Sequence, residues 1–263
     1  MNFVCRGRWR YDTALTLACV NDHLEVVKEL LKHINIDVNW SNNDGFTALH
    51  WSSQGGNAHV IHELLKHKKL DANAQNRNGR TALMIASARG RLAAVRELLK
   101  HELDVNVQDV DGHSALYFAS NRGQSDVVHE LLRHNRLDVN AKDKQGHSAL
   151  VSASIMGHQD VVREVMKHPE IDVRSCGKLA LIMASKHGHS SVVDELLKHD
   201  GIEVNTSVKR GFTALHLASD NGHLCVTRKL LMYGNIDVDA KTDLGWTAFY
   251  VAILHRHWLL PKP

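Results

Sequence analysis

The chain has 263 residues, of which 43% are hydrophobic and 23% charged, and its net charge is only +3. That balance suits a folded chain and argues against disorder, and no run of about 18 apolar residues is present to make a membrane span. Cys5, Cys19, Cys176 and Cys225 have neither the paired spacing of a zinc site nor the density of a disulfide scaffold. A reducing setting, cytoplasmic or nuclear, is therefore expected.

Residues 1–12, "MNFVCRGRWRYD", carry arginines but no apolar signal core, and read as a short lead-in. Thr13-Ala14-Leu15 then opens a first helix, and Val26, Val27, Leu30 and Leu31 stripe a second. Asp22 between them falls where a left-handed residue is needed, a conformation aspartate tolerates better than most. Thr47 suits an N-cap for the next pair, because its hydroxyl can accept from a free amide of the first turn. Gly56 can end that helix, and Val60, Ile61, Leu64 and Leu65 make the following stripe. The alternating stretch Leu70-Asp71-Ala72-Asn73 leads into a polar loop closing on Gly79.

The same order returns along the chain, with stripes at Val127/Val128/Leu131/Leu132 and Val192/Val193/Leu196/Leu197. Successive anchors Thr13, Thr47, Thr81, Ser114, Ser148, Leu179, Thr213 and Thr247 are 34, 34, 33, 34, 31, 34 and 34 residues apart. A fixed period of this length marks stacked supersecondary units that bury each other's stripes. The step of 31 coincides with "DVRSCG", which predicts one short finger. After Trp246-Thr247-Ala248 the chain reads "LHRHWLLPKP", with Arg256 in the glycine slot and Pro261 where a second helix needs an amide donor. The expected organisation is thus one array over 13–249, then an incomplete repeat and tail over 250–263. A fragment of a longer protein, a truncated product and a stack covered by a partner all remain open.

"HELLKH" at His62–His67 and "HELLRH" at His129–His134 resemble the H-E-x-x-H zinc signature with one residue too many. Five residues turn the second ring about 140° from the first, so the two rings of one helix cannot share an ion. His33, His67, His101, His134, His168 and His199 form a column at the second-helix ends, where imidazole can interact with free carbonyls. Neighbouring helices roughly 8–10 Å apart hold such rings too far from one another for zinc. No metal, cofactor or small-molecule substrate is expected. Neither a phosphate-binding loop nor a nucleophile elbow appears, so an enzyme is the weakest reading.

"TALHLASDNGHLCVTRKLL" from Thr213, "GHQDVV" from Gly157 and "DVNAKDKQG" from Asp138 to Gly146 resemble the ankyrin repeat, over essentially the whole chain. The resemblance implies an all-α solenoid of helix-turn-helix repeats with hairpin finger loops, about seven and a half repeats long. It also implies a non-catalytic scaffold or adaptor that binds proteins. This chain departs from the family in carrying alanine, a good helix former, at the second anchor position where proline is usual. His50 and His216 match a histidine that bonds the anchor threonine in the family. Asn39, Asn73, Asn106, Asn140 and Asn205 match a position that asparaginyl hydroxylases modify in some ankyrins, which would make the chain a substrate.

In the family the recognition surface is concave, built from finger tips and first-helix ends. Carried over residue by residue, those slots hold Arg77, Arg80, Arg89, Arg122, Lys142, Lys144, Lys178, Lys186, Lys209, Arg210 and Lys241, against Asp44, Asp111, Asp220 and Asp243. That excess of cations points to an acidic protein partner. Ile155 and Met156 are candidate apolar anchors. Phe212 and Trp246 stand beside the basic fingers, which keeps nucleic acid as a weaker alternative in the absence of any RNA- or DNA-binding motif.

Overall fold

The computed structural model describes residues 13–257, with side chains through Leu254. The lead-in at 1–12, with Cys5, and the tail beyond 257, with Pro261, lie outside the described residues. The chain forms two compact units, 1–146 and 147–263.

The first unit holds four helix pairs. They are α1 (Ala14–Val20) with α2 (Leu24–Leu31), α3 (Ala48–Gly55) with α4 (Ala58–Leu65), α5 (Ala82–Ala88) with α6 (Leu92–Leu99), and α7 (Ala115–Asn121) with α8 (Ser125–Leu132). Each first helix begins where its anchor hydroxyl accepts a first-turn amide, as Ser114 Oγ does from Tyr117 N at 3.2 Å. First helices pack on first helices of the next repeat and second on second. Leu49, Ile61, Leu64, Leu98, Leu116 and Leu131 are fully buried between them. Val26 in α2 stays half exposed, since among the described residues no earlier repeat covers its side of the stripe.

Each finger is a tight hairpin closed by a buried side chain. Asn76 Oδ1 accepts from the amides of Asn78 and Arg80, both at 3.0 Å, while Gly79 N donates to the Asn76 carbonyl at 2.8 Å. Asn42 and Asp109 do the same for their own fingers. The short polar side chain supplies partners that the turn's backbone lacks. The column histidines close the preceding turn differently from the expected donation to carbonyls. Nδ1 of His33, His67 and His134 instead accepts the amide two residues on, at 3.3–3.4 Å.

The second unit holds α9 (Ala149–Met156) with α10 (Gln159–Met166), α11 (Lys178–Lys186) with α12 (Ser190–Leu197), α13 (Ala214–Asp220) with α14 (Leu224–Met232), and α15 (Ala248–His257). Between α10 and α11 the expected short finger is not a hairpin at all. Val173–Gly177 winds as a π-helical turn that runs directly into α11, with Asp172 Oδ1 accepting from Ser175 N at 3.0 Å. The missing residues leave too little chain for a hairpin, and the wide helical turn satisfies the amides internally. The last helix, α15, continues through Arg256, as a residue without glycine's freedom in the turn slot would lead it to do.

Candidate partner-binding face

Finger position is fixed by backbone bonds from one finger to the next. Arg77 N donates to Asp44 O, Val110 N to Asn78 O and Lys144 N to Asp111 O in the first unit, all at 3.0 Å. Asp243 N donates to Arg210 O at 3.0 Å in the second. The fingers therefore form a ribbon in each unit, and the side chains at their tips keep a set spacing.

Arg77, Arg89, Arg122, Lys142 and Lys144 are exposed in the first unit. Arg80 is partly withdrawn. Its Nε lies 3.3 Å from Oδ2 of the buried Asp109, and its guanidinium sits over the Phe118 ring, 4.6 Å from the centroid. That ion pair and cation–π contact make Arg80 part of the wall itself. Beside it lies a cavity of about 170 Å³ lined by Phe46, Met84, Ile85, Ala88, Arg89 and Phe118, among others. This is smaller than the about 300–1,000 Å³ of a small-molecule site. It is sized for one side chain.

Two of those aromatics were not among the sequence-derived candidates. Phe46 occupies the slot before the anchor threonine, the same slot as Phe212 and Trp246, so that signal was available. Phe118 lies in mid-α7, where an aromatic cannot be distinguished from core by spacing alone. It stands edge-on to Tyr117 and to His113, with centroids 6.1 and 5.5 Å away.

In the second unit Lys178, Lys186, Lys209, Arg210 and Lys241 are exposed, while Phe212 and Trp246 are half-buried. Phe212 lies edge-on to His216, and Trp246 packs near Tyr250. Met156 is 48% exposed and available as an anchor; Ile155 is less so, and its carbonyl accepts from His189 Nε2 at 2.8 Å. Arg210 has φ +67°, in the left-handed region that a non-glycine residue rarely occupies.

Of the five asparagines matched by the resemblance, Asn39, Asn106 and Asn205 are staples between repeats. Asn106 Nδ2 donates to Arg136 O at 2.6 Å and its Oδ1 accepts from Asp138 N at 2.8 Å. Asn39 bonds Lys69 O and Asp71 N in the same way, and Asn205 bonds Asn235 O and Asp237 N.

On the second-helix surface a cation of one repeat faces a carboxylate of the next. Arg96 Nε is 2.8 Å from Glu130 Oε2, and Arg163 Nε is 3.4 Å from Glu195 Oε2. The polarity reverses at Asp194 and Lys229. In the equivalent place His62 Nδ1 lies 2.6 Å from Glu97 Oε1. Burial works to raise the Glu97 pKa, but hydrogen bonds from Lys100 and His62 overcome it and hold the carboxyl below its usual range.

Paired helices repeating in register, with fingers bonded edge to edge, define a helical repeat array. Residues 2–75, 56–143 and 121–208 match family profiles described as ankyrin repeats (3 copies), and 196–252 match one described as ankyrin repeats (many copies). A comparison with curated proteins finds no match. The chain belongs to the ankyrin-repeat family, whose repeats generally mediate protein–protein interaction.

Proposed function

We propose that the protein is a non-catalytic scaffold that binds an acidic protein segment on its finger/first-helix face. The observation that carries this reading is the first-unit cavity. Its lining is mixed, with Phe46, Met84, Ile85 and Phe118 beside the polar Gln54, Asn76, Asn78, Arg80 and Arg89, which suits one side chain with an apolar body and an acidic head; Arg77 and Arg122 are exposed on neighbouring repeats. Anchors of this kind supply affinity, while the surrounding cations steer encounter and set orientation. Lys142 and Lys144 extend the basic surface along the ribbon.

The partner is to be captured by crosslinking and affinity purification with and without nuclease. Association should survive nuclease, and Lys142→Glu with Lys144→Glu should slow it and flatten its salt dependence. Lys28→Glu with Lys32→Glu, on the second-helix surface of the same unit, should leave association unchanged. Equal effects from both pairs would remove the face assignment, and nuclease-sensitive capture would transfer the face to nucleic acid.

A further inference from the structure

His62 belongs to "HELLKH", yet it does not face His67 of its own helix. It reaches across the repeat boundary from α4 to Glu97, near the end of α6, and to His101, two residues beyond the end of that helix. Donor atoms of His62, Glu97 and His101 all lie within 4.8 Å of one another. The trio takes one ring from the "HELLKH" hexapeptide and one from the column at the second-helix ends, with a carboxylate between them.

We propose that His62, Glu97 and His101 form a divalent-metal site, of the chemistry that selects Zn²⁺, clamping α4 to α6. Two imidazoles and one carboxylate are a ligand set that zinc takes, with water in the fourth position. Zinc bonds of about 2.0–2.1 Å in tetrahedral geometry place donors roughly 3.3 Å apart. The 2.6 Å approach of His62 Nδ1 to Glu97 Oε1 would open slightly to admit the ion, while every other donor separation is already within 4.8 Å. Such adjustments lie within side-chain rotation, since the His62 ring is half exposed. Lys100 Nζ holds the other oxygen, Oε2, at 2.6 Å, leaving Oε1 for the metal and fixing the carboxylate as an outer partner does.

The test uses the full chain stripped with chelator and titrated with Co²⁺, then Zn²⁺. The expected result is the visible absorption of four-coordinate Co²⁺, displaced by Zn²⁺, with added protection of α4 and α6 amides from hydrogen exchange. His62→Ala and His101→Ala should each weaken binding by at least about tenfold, since even an outer partner of a metal ligand matters that much. His67→Ala, on the same helix as His62, should change affinity less than about twofold, as a residue outside the ligand set should. Absence of the Co²⁺ spectrum in the parent chain would overturn the site, as would unchanged binding in His62→Ala or equal loss in His67→Ala. Exposed His62 can be removed with little risk to folding, and unchanged helical circular dichroism of the metal-free variant verifies that.

Discussion

His50 Nε2 donates to the carbonyl of Arg80 at 2.9 Å, thirty residues further along the chain. Its Nδ1 meanwhile takes the amide of Thr47 at 3.1 Å and lies 2.9 Å from the Thr47 hydroxyl. One buried ring thus caps its own helix and ties it to the root of the next finger. Both roles need the neutral ring, and burial, which disfavours the charged form, pushes the His50 pKa below its ordinary value.

Because the folded state disfavours protonation, the stabilisation from His50 is complete above the unfolded value of about 6.5. It is lost as pH falls through that value toward the lower folded-state pKa. His50→Gln should be less stable than the parent chain by about 1–3 kcal/mol at neutral pH. That gap should narrow at pH 5, measured by urea denaturation at both pH values. A pH-independent gap would show that His50 does not titrate differently on folding.

The buried hydroxyls in the last turn of the first helices give a second expectation. Ser53, Ser87, Ser120 and Ser185 are fully buried with no hydrogen-bond partner, whereas Ser154 Oγ donates to Leu150 O at 2.8 Å. Removing an unsatisfied hydroxyl relieves a desolvation penalty of about 1–3 kcal/mol, offset by the loss of a few packing contacts. Ser87→Ala should therefore raise the denaturation midpoint, while Ser154→Ala should leave it level or lower it. The reverse order would mean that the Ser87 hydroxyl is satisfied in solution.

Much of this arrangement is legible in the sequence because repeats convert local rules into period. Thr47, Thr81, Ser114 and Thr213 cap helices as their hydroxyls predict, and Leu64, Leu98 and Leu131 fill the stripe. What crosses from one repeat to the next is harder to read. The bonds of Asn106 to residues 136 and 138, and the approach of His62 to Glu97, depend on stacking register, which no single helix encodes. Arg80 shows the same gap: its slot announces an exposed cation, but the neighbouring finger's Asp109 and the following helix's Phe118 draw it into the wall.

Cysteine reactivity should separate by environment. Burial pushes the Cys19 thiol up to about 12, against a hydrogen bond with Ser52 that works the other way. Cys176 is also buried, and Cys225 is exposed on α14. Alkylation of the native chain at pH 8, mapped by mass spectrometry, should modify Cys225 well before Cys19 or Cys176. Rapid labelling at Cys19 would mean that the first repeat opens readily.

The finger ribbon predicts unequal responses from two glycines in the same slot. Gly211 and Gly245 have φ of +74° and +77°, so alanine at either position meets the left-handed penalty of about 1–2 kcal/mol. Their surroundings differ. A Cβ at Gly211 would lie 2.9 Å from Asp243 N and from the Thr242 Cα, both main-chain atoms of the next finger. A Cβ at Gly245 would meet nothing within 4 Å. Gly245→Ala should accordingly show the conformational penalty alone. Gly211→Ala should show that penalty and also push the next finger away, weakening the bond from Asp243 N to Arg210 O. The readout is the denaturation midpoint of each variant together with hydrogen exchange at the Asp243 amide. Faster exchange should appear in Gly211→Ala and not in Gly245→Ala, and equal exchange in the two would show that adjacent fingers are not held by that backbone bond.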